Sequence, residues 1–155
     1  MKEEALKYAR RGWAIFPCRG DKSPYTDHGF QDATTDEKQL EDWWDEWPMA
    51  NIGWCPADND MVVVDVDAYK PGFSWDNAAC ELPHTNLRST SARGGAHLIY
   101  ALGEGEVASS DSTGKLGKHF DCKSFGGYIL LPPSKFQGGT YTWESEGQPA
   151  YRTDE

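Results

Sequence analysis

The sequence predicts an α+β fold, with helices early and strands late, and three observations carry that reading. Residues 3–11 and the stretch after Thr34 place apolar side chains at helical spacing. From Met61 onward the chain is instead a series of short β-branched and aromatic segments divided by Gly, Pro and Asn turns. No internal repeat and no linker interrupts the 155 residues, so one domain over 1–155, built on one sheet, is the expectation.

The elements follow in order. Residues 3–11 read as an amphipathic helix with Ala5, Leu6 and Ala9 on one side, ended by Gly12. Trp13 to Pro17 reads as a strand stopped by Pro17. Residues 19–33 are polar and rich in Gly and Pro, hence loop. Thr34 with Glu37 makes a capping box for a helix carrying Leu40, Trp43, Trp44 and Trp47, which Pro48 ends. Asn51 to Cys55 is a brief strand, Asp58 to Asp60 a turn, and Met61 to Asp67 a strongly apolar strand. Ser74 caps a short helix over Trp75 to Leu82. Thr85 to Ser91 and Ala96 to Ala101 are strands joined by a turn at Arg93-Gly94-Gly95. Residues 103–118 hold little apolar content and read as an exposed, mobile loop. His119 to Lys123, Tyr128 to Leu131 and Thr140 to Trp143 complete the strands.

Composition narrows the class. Seven tryptophans and a 38% hydrophobic share fit a packed core rather than a disordered chain. No apolar run reaches the ~18 residues of a membrane span, and the charged start MKEEALKYARRGW is no signal peptide, so a cytoplasmic protein is expected. Cys18, Cys55, Cys80 and Cys122 form no close pair, which predicts free thiols rather than a zinc site or disulfide framework. The net charge of −10 speaks against broad electrostatic attachment to nucleic acid; any such contact has to be local or assisted by another domain.

Three segments carry chemistry. In Asp65-Val66-Asp67 the strand alternation projects both carboxylates from one face, about 7 Å apart along the chain. Oxygen ligands so spaced suit Mg²⁺ or Mn²⁺, while a strand end with both acids in water is an equally open reading. In Arg93-Gly94-Gly95-Ala96-His97 the glycines permit close backbone approach and can offer N–H groups to phosphate, with Arg93 and His97 flanking them. Asp121 and Lys123 share a strand face, where the acid can join the other two carboxylates and the lysine can meet a phosphate; a surface ion pair is the plainer reading.

The series D-x-D, then R-G-G-x-H, then D-x-K followed by Gly126-Gly127-Tyr128 and Pro132-Pro133-Ser134, resembles the prim-pol domain of the archaeo-eukaryotic primase superfamily. It is most similar to the bifunctional DNA primase/polymerase N-terminal domains of phages, plasmids and their integrated relatives. The likeness includes Lys22-Ser23-Pro24, Gly29-Phe30, Ala33-Thr34-Thr35, Trp43-Trp44, Asn51-Ile52-Gly53 and the closing Gly139 to Trp143, and so spans about residues 5–145.

This resemblance implies a small α/β N-terminal unit packed on an RRM-like antiparallel sheet, with the active site in the cleft between them. It implies template-directed, two-metal nucleotidyl transfer from an NTP or dNTP to a 3′-hydroxyl, in replication of a phage or plasmid-type element. Asp65, Asp67 and Asp121 would be the ligands of two Mg²⁺ or Mn²⁺ ions. His97 would contact the phosphates of the incoming nucleotide, with Arg93, Gly94, Gly95, Lys22 and Lys123 around them. Lys115 and Lys118 are the candidates for a single-stranded DNA template, and a helicase or other replication module, in cis or trans, is the expected partner. The chain departs from the family pattern in two places. Many superfamily members carry serine where Gly95 stands, and members often carry arginine where Lys123 stands, which exchanges a bidentate fork for a point charge. Two other readings compete. One is a nucleotide- or DNA-binding module that needs a partner for activity. The other is a D-x-D phosphatase or glycosyltransferase, against which Tyr69 and Lys70 count, because the phosphatase needs a small hydroxyl residue soon after its second aspartate.

Overall fold

A computed structural model describes residues 1–78, 82–106, 108, 110 and 116–151. It is a mixed α+β structure with two α-helices and mainly antiparallel strands. The first helix, α1 (Lys2–Arg10), buries Ala5, Leu6, Tyr8 and Ala9. Glu3 and Glu4 occupy its first turn and Lys7 and Arg10 its last, the order that complements the helix dipole. The second, α2 (Glu37–Glu46), buries Leu40 and Trp44. Its cap is Asp36, whose Oδ2 accepts from the Gln39 N–H at 3.3 Å, and not Thr34 as the capping-box pattern predicts. Thr34 is engaged elsewhere: its N–H and carbonyl exchange hydrogen bonds with Ile15, pinning it to the first strand.

The predicted single sheet is replaced by two principal ones. β1 (Ile15–Cys18), β2 (Asn51–Trp54) and β7 (Ile129–Leu131) form a three-stranded antiparallel sheet in the order β1-β2-β7. The larger sheet runs β10-β4-β5-β3-β6, from β3 (Met61–Val66), β4 (Leu87–Thr90), β5 (Ala96–Ala101), β6 (Phe120–Lys123) and β10 (Thr142–Glu146). β11 (Ala150–Tyr151) adds a short parallel pairing to β5. β8 (Lys135–Phe136) and β9 (Gly139–Thr140) make a separate hairpin through Gln137 and Gly138, both at positive φ.

Pro17 lies inside β1 rather than ending it. The Pro17 carbonyl accepts from the Tyr25 N–H, away from β2, so the missing proline donor also faces the strand edge and removes no ladder bond. The helix predicted after Ser74 shortens to a single 3₁₀ turn, Trp75–Asn77, capped by the Ser74 hydroxyl; residues 79–81 lie outside the described ones. Within the segment read as an exposed loop, Ala108 is buried in the core beside Leu102. Val107, Ser109 and 111–115, and with them the Lys115 prediction, lie outside the described residues.

The core explains the uninterrupted run Val62-Val63-Val64. Val63 and Ile99 face α1, α2 and the small sheet, packing with Leu6, Trp44, Ile52 and Trp54. Val62, Val64, Leu98, Tyr100 and Phe120 point the other way into a second cluster that Phe73 and Leu116 help to close. A strand covered on both faces has no need to alternate with polar residues. Within the small unit Trp13 stacks on Trp54 with centroids 4.1 Å apart and on Tyr8 at 5.7 Å, and Trp143 of the large sheet meets Trp13 edge-on at 6.4 Å. From β10, the Trp143 Nε1–H donates to the Tyr8 hydroxyl at 2.9 Å.

Candidate active site

Strand register decides which polar side chains meet. Asp65 lies opposite His97 on β5 and opposite Asp121 on β6, while Ser89 on β4 lies opposite His97. The four residues make a row across the large sheet, on the face that carries Val63 and Ile99 and is turned toward the small unit. His97 is buried, with Nε2 3.4 Å from Asp65 Oδ1. Its Nδ1 and the Ser89 hydroxyl are buried without a hydrogen-bond partner among the described residues. Asp67 follows directly after β3; its N–H donates to the His119 carbonyl at 2.9 Å, and its Oδ2 lies 3.0 Å from Lys70 Nζ.

A cavity of about 40 Å³ opens beside this row. It gathers five predicted residues, Lys22, Asp65, Asp67, Arg93 and His97, and five that sequence reasoning did not assign, Tyr69, Ser91, Ala92, Phe136 and Tyr141. Lys22 arrives from the loop after β1, where it adopts φ 77°, and its ammonium sits 4.2 Å from the Phe136 ring centroid. The Arg93 guanidinium lies 4.3 Å over the Tyr69 ring, and Tyr141 stacks on His97 with centroids 5.8 Å apart. Asp121 and Lys123 stay outside the cavity wall. Lys118 is exposed against the turn at Gly72, also away from it. A larger concavity of about 650 Å³ lies between the 25–36 loop and α2. Its charged lining is largely acidic, including Asp27, Asp32 and Asp36, and it lacks the convergence of carboxylates, imidazole and cations that marks the smaller one.

The charges interact across the row. Burial pushes the Asp65 carboxyl up, but its contact with His97 and the charges of Lys123 and Lys22 outweigh that and hold it below its ordinary value. Asp121 is displaced the opposite way, by burial first and then by the negative charges of Asp65 and Asp67, against Lys123 and Lys70. Burial lowers the Lys22 ammonium; Arg93 and Lys123 add to that and Asp65 and Asp67 oppose it. Asp121 thus senses two neighbouring carboxylates that the lysines do not fully neutralise, and this is the condition a hard divalent cation relieves. In kind and neighbourhood the three acids fit such an ion. Among the described residues no three His, Cys, Asp or Glu side chains are gathered into a ligand group, since Asp67 is turned to Lys70 and Asp65 to His97.

The turn at 93–95 closes on Ser91. The Gly94 N–H donates to the Ser91 carbonyl and the Gly95 carbonyl accepts from the Ser91 N–H, so these groups close the turn itself. A Cβ on Gly95 would stand 2.4 Å from the Val66 carbonyl oxygen and 2.8 Å from the Ser91 hydroxyl. The glycine is there for packing of β5 on β3. Gly95→Ala is expected to lower unfolding free energy by about 1–3 kcal/mol, measured by urea denaturation, because the obstacle is backbone.

The sequence model of the bifunctional DNA primase/polymerase N-terminal domain (Prim-Pol) matches residues 5–154. The chain belongs to that family. It is therefore a primase/polymerase nucleotidyltransferase domain. Comparison with curated proteins gave no match. Family membership brings nucleotides and DNA as substrates and a generally metal-dependent polymerase chemistry. No described helix of this Prim-Pol chain is long and apolar enough to cross a membrane.

Proposed function

We propose that this Prim-Pol domain performs template-directed nucleotidyl transfer, joining an incoming NTP or dNTP to a 3′-hydroxyl during replication of a phage or plasmid-type element. The observation that carries the reading is the side-by-side placement of Asp65, His97 and Asp121 across three strands, with Lys22 and Arg93 at the adjoining cavity. Polymerisation needs carboxylates where metal and hydroxyl meet, and fixed cations where a triphosphate lies. The four-stranded antiparallel run β4-β5-β3-β6 supports an RRM-like sheet, and the polar row on the face turned to the small unit supports a cleft site.

Asp65, Asp67 and Asp121 would hold the divalent ions, which when bound activate the 3′-hydroxyl and neutralise the leaving pyrophosphate. The chain's own contribution is positioning and electrostatics. Lys22 and Arg93 offset phosphate charge, and each is braced on a ring, Phe136 and Tyr69, so little reorganisation accompanies binding. His97, buried and stacked, presents its imidazole from a fixed wall, and Lys123 adds positive potential from β6. The net charge of −10 favours a helicase or other replication module in cis or trans that strengthens the hold on single-stranded template, with Lys118 at the margin.

The deciding experiment is incorporation of labelled dNTPs and NTPs on a single-stranded template, with and without primer, in Mg²⁺ or Mn²⁺. Template-dependent product is expected; its absence under all conditions, also with a helicase module supplied, would refute the reading. His97→Ala is expected to weaken triphosphate binding by at least about tenfold while leaving single-stranded DNA affinity nearly unchanged. Equal losses for both ligands, measured by fluorescence titration, would remove His97 from the nucleotide site.

A further inference from the structure

The family reading leaves Tyr141, at the cavity wall, without a role. Tyr141 follows the β8–β9 hairpin and is 3% exposed; it packs with Phe16, Cys18 and Leu130 and also lines the cavity. Its backbone N–H donates to the Ser134 carbonyl at 2.8 Å, which anchors it, and the ring stacks on His97 at an interplanar angle of 23°. The hydroxyl makes no hydrogen bond among the described residues and is not one of their enclosed, unpartnered atoms, so it is open to a ligand.

We propose that Tyr141 is a substrate-binding residue, its hydroxyl donating a hydrogen bond to a phosphate oxygen of the nucleotide triphosphate in the cavity bounded by Lys22, Arg93 and His97. The assignment rests on the nucleotide-transfer reading of the site and adds a residue to it. Three features support it. At about 40 Å³ the cavity has room for about three waters, at roughly 10–15 Å³ each, a size on the scale of a phosphate group. Lys22 and Arg93 line it beside Asp65 and Asp67, so a phosphate there would have two cations to offset its charge. The phenol keeps its proton and can donate: burial, with Asp65, Tyr69 and Asp67 adding and Arg93 opposing, raises its pKa to about 12. Phe136 lines the same cavity but has no donor, so the hydroxyl is what distinguishes Tyr141.

The test compares wild-type protein with Tyr141→Phe, which removes the hydroxyl and keeps the stacked ring. Binding of dATP and of inorganic tripolyphosphate is measured by tryptophan fluorescence, alongside the thermal unfolding midpoint. The expected result is an unchanged midpoint with about tenfold weaker binding of both probes, the loss of one hydrogen bond to a charged group. Unchanged affinity for both would overturn the proposal, leaving Tyr141 a mere support for His97. Loss of dATP affinity with tripolyphosphate binding intact would also overturn it, since the hydroxyl would then read sugar or base. If the wild-type protein binds neither probe, the nucleotide-transfer reading itself falls. If it binds both and Tyr141→Phe does too, only this assignment falls.

Discussion

Asp65→Ala is expected to abolish nucleotide incorporation, by about 10³-fold or more, while the domain remains folded. Asp65 stands at the centre of the polar row, between His97 and Asp121, and also lines the cavity with Lys22 and Arg93. Its removal takes away one proposed metal ligand and the carboxylate beside the buried imidazole. It removes no part of either apolar cluster, so unfolding by urea should remain cooperative. Asp67→Ala is expected to give a similar loss of incorporation, with Lys70 released from its 3.0 Å pairing. Single-turnover assays at saturating dNTP separate the two effects: the carboxylates should lower the rate of the step itself, and His97 chiefly affinity. Undiminished incorporation by both variants would end the reading of the row as a reaction centre.

The largest effect on stability is expected from Trp54→Ala, at about 3–5 kcal/mol by urea denaturation. Trp54 is fully buried on β2, stacked on Trp13 at 4.1 Å, and its Nε1–H donates to Asn59 Oδ1 at 3.0 Å. Truncation removes the ring from the joint between the small unit and the large sheet and leaves the Asn59 acceptor without that donor. Trp54→Phe keeps a ring in the joint and should lose much less. Nucleotide binding by Trp54→Ala should fall with the folded fraction and recover when denaturant is absent and the temperature is low. A loss under about 1 kcal/mol would show that Trp54 does not anchor the core it shares with Val63 and Ile99.

Much of the fold was legible because local physics wrote it into short segments. The apolar spacing of Ala5, Leu6 and Ala9 and of Leu40 and Trp44 predicts both helices, and the Val62–Val64 run predicts the central strand. The misses are places where a distant contact overrode a local signal. Thr34 carries a capping pattern but is drawn to Ile15, so Asp36 caps α2. Pro17 reads as a strand stop, but β1 is an edge strand and has room for it. The β8–β9 hairpin escaped notice because its turn places Gln137, a residue without a strong turn signal, at φ 50°. Two sheets rather than one were invisible for the same reason: nothing local says whether β2 pairs with β1 or with β3.

The D-x-D motif, its place at the end of an apolar strand, and the order of R-G-G-x-H and D-x-K behind it were determined by the sequence alone. Together they were enough to indicate the family, because the alternation of a strand and the order of motifs are properties of the chain itself. Only the tertiary structure decided which side chains share a wall. Register set Asp65 between His97 and Asp121, a hairpin brought Phe136 and Tyr141 to Lys22, and the close approach of Gly95 to Val66 set a packing requirement at the turn. Contacts of that kind depend on pairing between segments remote in sequence, where a shift of one residue would turn every side chain to the opposite face.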